Sequence, residues 1–150
     1  MSVVSDKWIA YKCNDWQVEL SATLLDEMRS DRVRALPNET GGVLIGAYDI
    51  ARRRVYIVYQ VKAPEDSISS PTSFIRGCAN LPDCLKYIYQ TTLDNLTYIG
   101  EWHSHPSDDT RKSMDDMKLH EAIVDYNREN CLPGCMMILG TNSLSIFIDE

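Results

Sequence analysis

The run VYIVYQV at residues 55–61 constrains the fold more than any other stretch of the chain. Successive side chains of a strand alternate between faces. Val55, Ile57, Tyr59 and Val61 would therefore face one way, and Tyr56 and Val58 the other. Both sets are apolar, and a strand apolar on both faces belongs in a sheet covered on both sides. GGVLIGAYDI (41–50), one short turn earlier, has the same β-branched and aromatic character.

The flanking segments supply the cover. Ser21 is a good N-cap for a helix that carries Leu24, Leu25 and Met28 and ends by about Pro37. After Asn80, a second candidate cap, Leu81, Cys84, Leu85, Ile88 and Tyr89 fall on one helical face. A third helix is predicted from about Ser113 to Tyr126. LTYIGEWH (96–103) reads as a strand that Pro106 stops. CMMILG (135–140) and SLSIFI (143–148) read as a closing strand pair around Thr141-Asn142. The order is α-β-β-α-β-α-β-β, with room for one more strand at the N-terminus. This is α/β, a three-layer domain spanning residues 1–150. No repeat, low-complexity tract or linker interrupts it.

A chain of 150 residues, 44% apolar, can build its core without a metal or disulfide. Any metal site is therefore read first as chemical. Fifteen basic against 22 acidic residues give a net charge of -7, which argues against a general nucleic-acid binder. The cysteines are Cys13, Cys78, Cys84, Cys131 and Cys135; their odd number and the lack of a CxxC pair argue against an oxidised secreted framework. MSVVSDKWIAYKCNDW has no signal-peptide core, and no apolar run approaches the roughly 20 residues that span a bilayer. The expectation is a cytoplasmic protein with no membrane partner.

The chemistry is concentrated in His103-Ser104-His105-Pro106, Ser113 and Asp116. Histidines at i and i+2 of a strand share a face, so both imidazoles can reach one ion. Ser113 and Asp116, three apart at a helix start, also share a face. Two histidines and a carboxylate, with a fourth position left for water, form the pattern of a catalytic zinc site.

The stretch HSHPSDDTRKSMDD resembles the JAMM, or MPN+, family of zinc metalloisopeptidases, over roughly residues 18–148. His103, His105 and Asp116 fall where that family has its zinc ligands, and Ser113 falls on its catalytic serine. Glu39, in ETGGVLIG, takes the place of the family's glutamate ahead of a glycine-rich strand. The resemblance implies a JAB1/MPN, cytidine deaminase-like α/β/α fold around a mixed sheet, and Zn2+ as cofactor. It implies Glu39 as general base toward water and leaving amine, and Ser113 as hydrogen-bond donor to the developing oxyanion. GEWHSHP places Glu101 and Trp102 before the first ligand, where eukaryotic members tend to have a tyrosine. With SPTSFIRG upstream, it is more similar to small stand-alone bacterial members. Those resemble proteins encoded beside E1-like and E2-like enzymes, in systems that attach ubiquitin-like proteins or a defence nucleotidyltransferase to targets. The implied partner is a ubiquitin-like modifier, or a protein conjugated through its C-terminal tail.

The remaining features read more plainly. The loop 63–79, KAPEDSISSPTSFIRGC, is long enough to be functional. The resemblance makes it a candidate flap that pairs with an extended tail. Gly41-Gly42 either admits a passing chain or makes a tight start to a strand. His120 could turn toward the metal face but reads as a non-ligand. Cys131 and Cys135 read as core or loop thiols, and Arg52-Arg53-Arg54 as a solvated turn. The main functional reading is an isopeptidase. A peptidase that trims the precursor tail of a ubiquitin-like or sulfur-carrier protein uses the same site. A non-catalytic scaffold that binds partners is the reading from another class.

Overall fold

The computed structural model describes residues 7–150. It opens with a hairpin, β1 (Trp8–Cys13) and β2 (Trp16–Ser21), turned at Asn14, whose φ is 53°. The sequence allowed one N-terminal strand; there are two. In β2 the buried Trp16, Val18 and Leu20 alternate with half-buried Gln17 and Glu19, the period of a strand with one face in the core.

Ser21 caps α1 (Ala22–Ala35), its Oγ accepting from Leu24 N at 3.2 Å. β3 (Gly41–Asp49) and β4 (Arg54–Lys62) follow. The segment expected as an irregular loop holds a small hairpin, β5 (Ile68–Ser70) and β6 (Ser73–Ile75), which forms its own two-stranded sheet. Asn80 stands at the N-cap of α2 (Leu81–Thr91) in the left-handed conformation, and its side chain makes no capping bond. β7 (Thr97–Ser104), α3 (Met114–Arg128), β8 (Gly134–Leu139) and β9 (Leu144–Asp149) complete the chain.

Seven strands form one mixed sheet in the order β1-β2-β4-β3-β7-β8-β9, with β2–β4 and β7–β8 parallel and the other pairs antiparallel. The two faces bury different helices. Leu24, Leu25 and Met28 of α1 pack with Leu44, Trp102, Met137 and Leu139 on one face. Leu81 and Ile88 of α2 pack with Val43 and Ile45 on the other, where Ile123 of α3 packs with Met136 and Ile138. The alternation of Met136/Ile138 against Met137/Leu139 along β8 is the two-sided burial that an apolar strand run implies. Each such aliphatic side chain contributes about 1.5–3 kcal/mol when fully buried.

A bulge corrects the facing expected for β4. Ile45 pairs with Tyr59 but Gly46 pairs with Ile57, so Val58 is an extra residue. The pleat reverses across it. Val55 and Ile57 join the α1 face, whereas Val61 packs on the α2 face. Gln60 then turns inward, accepting from the Trp102 indole N–H at 2.9 Å and donating to Glu27 and Asp31 of α1. Among the described residues, no helix is long and apolar enough to cross a membrane, and all five cysteines are free thiols.

Candidate metal centre and cleft

His103 occupies the end of β7, and His105 follows just past it. Ser113 caps α3 in a reciprocal arrangement: Asp116 N donates to Ser113 Oγ at 3.1 Å, and Ser113 N donates to Asp116 Oδ2 at 2.9 Å. This capping box fixes the Asp116 carboxylate at the helix N-terminus, where the dipole favours negative charge. It leaves the Ser113 hydroxyl proton free to donate elsewhere.

Strand end and helix start converge. One donor atom each from His103, His105 and Asp116 lie within 4.8 Å of one another. Asp116 Oδ1 is 2.9 Å from His103 Nε2, and Oδ2 is 3.2 Å from His105 Nε2. His105 Nδ1 meets the Asp109 carbonyl at 2.7 Å, which turns Nε2 inward. Burial alone would raise the pKa of Asp116, but the close imidazoles of His103 and His105 and the Ser113 N–H outweigh it and hold the carboxyl well below its usual range. The Asp116 bond raises the His105 pKa despite burial.

His103 tests whether this cluster fits zinc. It is 3% exposed, and neither ring nitrogen makes a hydrogen bond among the described residues, close as Nε2 is to Asp116. Buried polar atoms without a partner are rare and costly. Zinc accepts imidazole nitrogen and carboxylate oxygen, and three protein ligands suit a centre that keeps one position open. The donor set therefore fits the ion.

Glu39 stands beside this group, with Oε1 4.0 Å from His105 Nε2. Burial raises its pKa, against the opposing pull of His103 and His105. Its position is set by backbone on two sides. Glu39 N donates to Ser70 O at 2.9 Å, and at the next residue Thr40 N donates to Ser104 Oγ while Thr40 O accepts from Ser104 N. The five residues singled out in the sequence thus meet at one place: Glu39, His103, His105, Ser113 and Asp116.

Glu39, His103, Ser113 and Asp116 line a cleft of about 520 Å³, which Phe74 and Arg76 of the β5–β6 segment also line. Two residues here escaped the sequence reading as site residues. Glu101 of β7 is buried and accepts from Arg76 Nε at 2.5 Å and from the Tyr98 hydroxyl at 2.9 Å. The resulting pair fastens the hairpin segment to the strand that carries His103. An acidic residue two positions before His103, inward by strand period, was the available signal for it.

Gly41 explains itself by packing. A Cβ there would lie 2.2 Å from the Trp102 carbonyl and 2.7 Å from the Phe74 ring. His120 turns away from the triad: Lys112 Nζ donates to its Nδ1 at 2.7 Å, its ring lies against Phe147, and Asp149 is 3.8 Å away. Cys135 is core and Cys131 is exposed. Arg52 and Arg53 are exposed on the β3–β4 turn, and Arg54 begins β4.

The family model described as prokaryotic homologs of the JAB domain matches residues 21–148. A protein of Enterobacter hormaechei subsp. hoffmannii (strain UCI 50), named CD-NTase/cGAS isopeptidase, is 34% identical over 125 residues, 83% of this chain and 68% of its own. The solution structure of a Desulfitobacterium hafniense protein superposes with a TM-score of 0.55 at 20% identity, covering 87% of each chain, which supports the fold. A JAB1/MPN domain protein from Archaeoglobus fulgidus aligns at 18% identity with a TM-score of 0.48, over 85% of this chain and 88% of its own.

Proposed function

The chain belongs to the family of prokaryotic JAB-domain homologs, and on that premise we propose that it is a zinc-dependent isopeptidase. It would hydrolyse the amide between the C-terminal residue of a conjugated protein and a target lysine. The observation that carries this reading is the convergence of His103, His105 and Asp116 within 4.8 Å, with the Glu39 carboxylate 4.0 Å from His105 at the edge of an open cleft.

The three side chains would hold Zn2+, two through imidazole nitrogen and one through carboxylate oxygen. Zinc, when bound, supplies Lewis acidity, which brings the pKa of a coordinated water near 7 and polarises a carbonyl oxygen. The rest falls to protein groups. The Glu39 carboxylate takes a proton from water and passes it to the departing lysine amine. Its raised pKa suits both halves of that transfer. The Ser113 hydroxyl, oriented by the capping box, donates to the oxygen on which charge develops. Phe74 and Arg76 also line the cleft, where an extended tail can lie along the β5–β6 hairpin.

The name of the Enterobacter relative, CD-NTase/cGAS isopeptidase, supports a protein conjugate as the substrate. We assign the same class here: a CD-NTase-like or ubiquitin-like protein attached through its C-terminal tail, in the company of E1-like and E2-like enzymes. Free thiols, including exposed Cys78 and Cys131, suit a cytoplasmic setting.

The test is cleavage of a lysine-linked conjugate by the zinc-loaded protein and by Glu39→Gln. Release of the intact tail by the wild type, with loss in a variant that still binds zinc, supports the reading. Equal cleavage by both would remove Glu39 from the mechanism.

A further inference from the structure

Arg32 is the last member of the buried stripe of α1, after Leu24, Leu25 and Met28, and only 5% of it is exposed. The stripe periodicity calls for an apolar residue at this position. A buried charge without a partner is unfavourable, yet among the described residues no carboxylate lies within ion-pair distance of this guanidinium. Its hydrogen bonds go elsewhere. Nε donates to the His105 carbonyl at 3.0 Å, and Nη2 donates to the Pro106 carbonyl at 2.8 Å and to Thr141 Oγ1 at 3.0 Å.

Those acceptors are the main chain at one residue of the triad. His105 lies one residue beyond the end of β7, so the strand ladder does not by itself fix it. Its N–H is held by the Leu139 carbonyl of β8 at 2.9 Å. Its C=O is held only by Arg32 among the bonds described. The 141–143 turn that Arg32 reaches through Thr141 is itself tied to the segment after His105, where Asp108 Oδ1 accepts from Asn142 N at 2.7 Å and Ser143 N at 2.8 Å. The fork geometry of a guanidinium satisfies two neighbouring carbonyls at once, which an ammonium cannot do.

We infer that Arg32 is a positioning residue for the metal centre. From the core side of α1 it clamps the His105-Pro106 backbone, so that the His105 imidazole is presented toward Asp116. It touches neither substrate nor ion. The inference rests on the zinc reading above and adds a determinant of affinity that lies 73 residues earlier in the chain. Groups that orient a metal ligand typically affect metal affinity by about 10- to 100-fold.

The test is zinc affinity of the full chain, measured by competition with a chromophoric chelator after metal stripping, for wild type, Arg32→Lys and Arg32→Met. The cobalt(II)-substituted absorption spectrum and the melting temperature of the metal-free proteins are recorded alongside. The expected result is one ion per chain in each, with affinity falling about 10- to 100-fold in Arg32→Met and by a smaller factor in Arg32→Lys. The cobalt bands should shift in Arg32→Met and return toward wild type in Arg32→Lys. A purely structural role would lower the metal-free melting temperature and leave affinity and spectrum unchanged, which overturns the inference. If Arg32→Met does not fold, Arg32→Lys decides: wild-type affinity in that variant overturns the inference. A wild-type protein that binds no zinc instead overturns the reading beneath it, and is distinguishable from either outcome.

Discussion

The backbone N–H of Glu39 donates to the carbonyl of Ser70 at 2.9 Å, which ties the candidate general base directly to the hairpin that walls the cleft. The proposed base and the candidate flap are therefore joined through one backbone hydrogen bond. Under the proposed function, a tail that adds to the hairpin would also bear on the Glu39 carboxylate.

Glu39→Gln keeps the size and hydrogen-bonding reach of the side chain but cannot take a proton. Conjugate cleavage should fall about 10²- to 10⁴-fold, with zinc content and melting temperature near wild type. Single-turnover cleavage alongside metal analysis checks this. Full activity in the variant would mean another group moves the proton.

Ser113 caps α3 and in the proposed function also donates to the oxyanion, and two substitutions separate these roles. Ser113→Ala should lose about 1 kcal/mol of stability with the cap, and Ser113→Gly only a few tenths. Both should lose about 10²- to 10³-fold in kcat, because neither can donate to an oxyanion. Urea unfolding paired with steady-state kinetics reads the two effects. Activity that tracks stability across the pair would leave Ser113 as a cap alone.

Arg76→Met removes the cation that holds buried Glu101. Because Arg76 is 27% exposed, the expected destabilisation is about 1–3 kcal/mol, less than for a fully buried pair. The hairpin loses its anchor to β7, so KM should rise more than kcat falls. A variant with unchanged KM would show that the hairpin takes no part in binding.

Much of this was legible because it follows local periods. The two-sided apolar runs gave the covered sheet, Ser21 and Ser113 gave helix starts, and His103/His105 with Ser113/Asp116 gave faces that could meet. The misses need tertiary information. The β5–β6 strands have three residues each and sit among serines and a proline, too short for any alternation to register. The Val58 bulge depends on how β3 pairs with β4, so Val61 changes face without a local signal. Arg32 looks like one more helix-surface arginine beside Arg29 and Arg34 until the stripe is extended to it.

His120 carries an acid sensitivity independent of the triad. Its burial, and then the neighbouring Lys112 charge, hold its pKa below the ordinary 6.5. The folded state thus binds the proton less readily than the unfolded chain. The stability from this group is complete above pH 6.5 and is lost as pH falls through the lowered folded value. His120→Gln can still accept from Lys112 and donate to the Gly134 carbonyl, but cannot titrate. Melting curves between pH 8 and 5 should fall less steeply for the variant than for wild type. Parallel curves would contradict the assignment.

The measurement closest to the centre of the account is zinc stoichiometry in the full chain and in His103→Ala, which removes the buried imidazole whose nitrogens make no hydrogen bond among the described residues. The expected result is one tightly held zinc per wild-type chain and loss of tight binding in a variant that remains folded. Equal zinc content and affinity in the two proteins would contradict it.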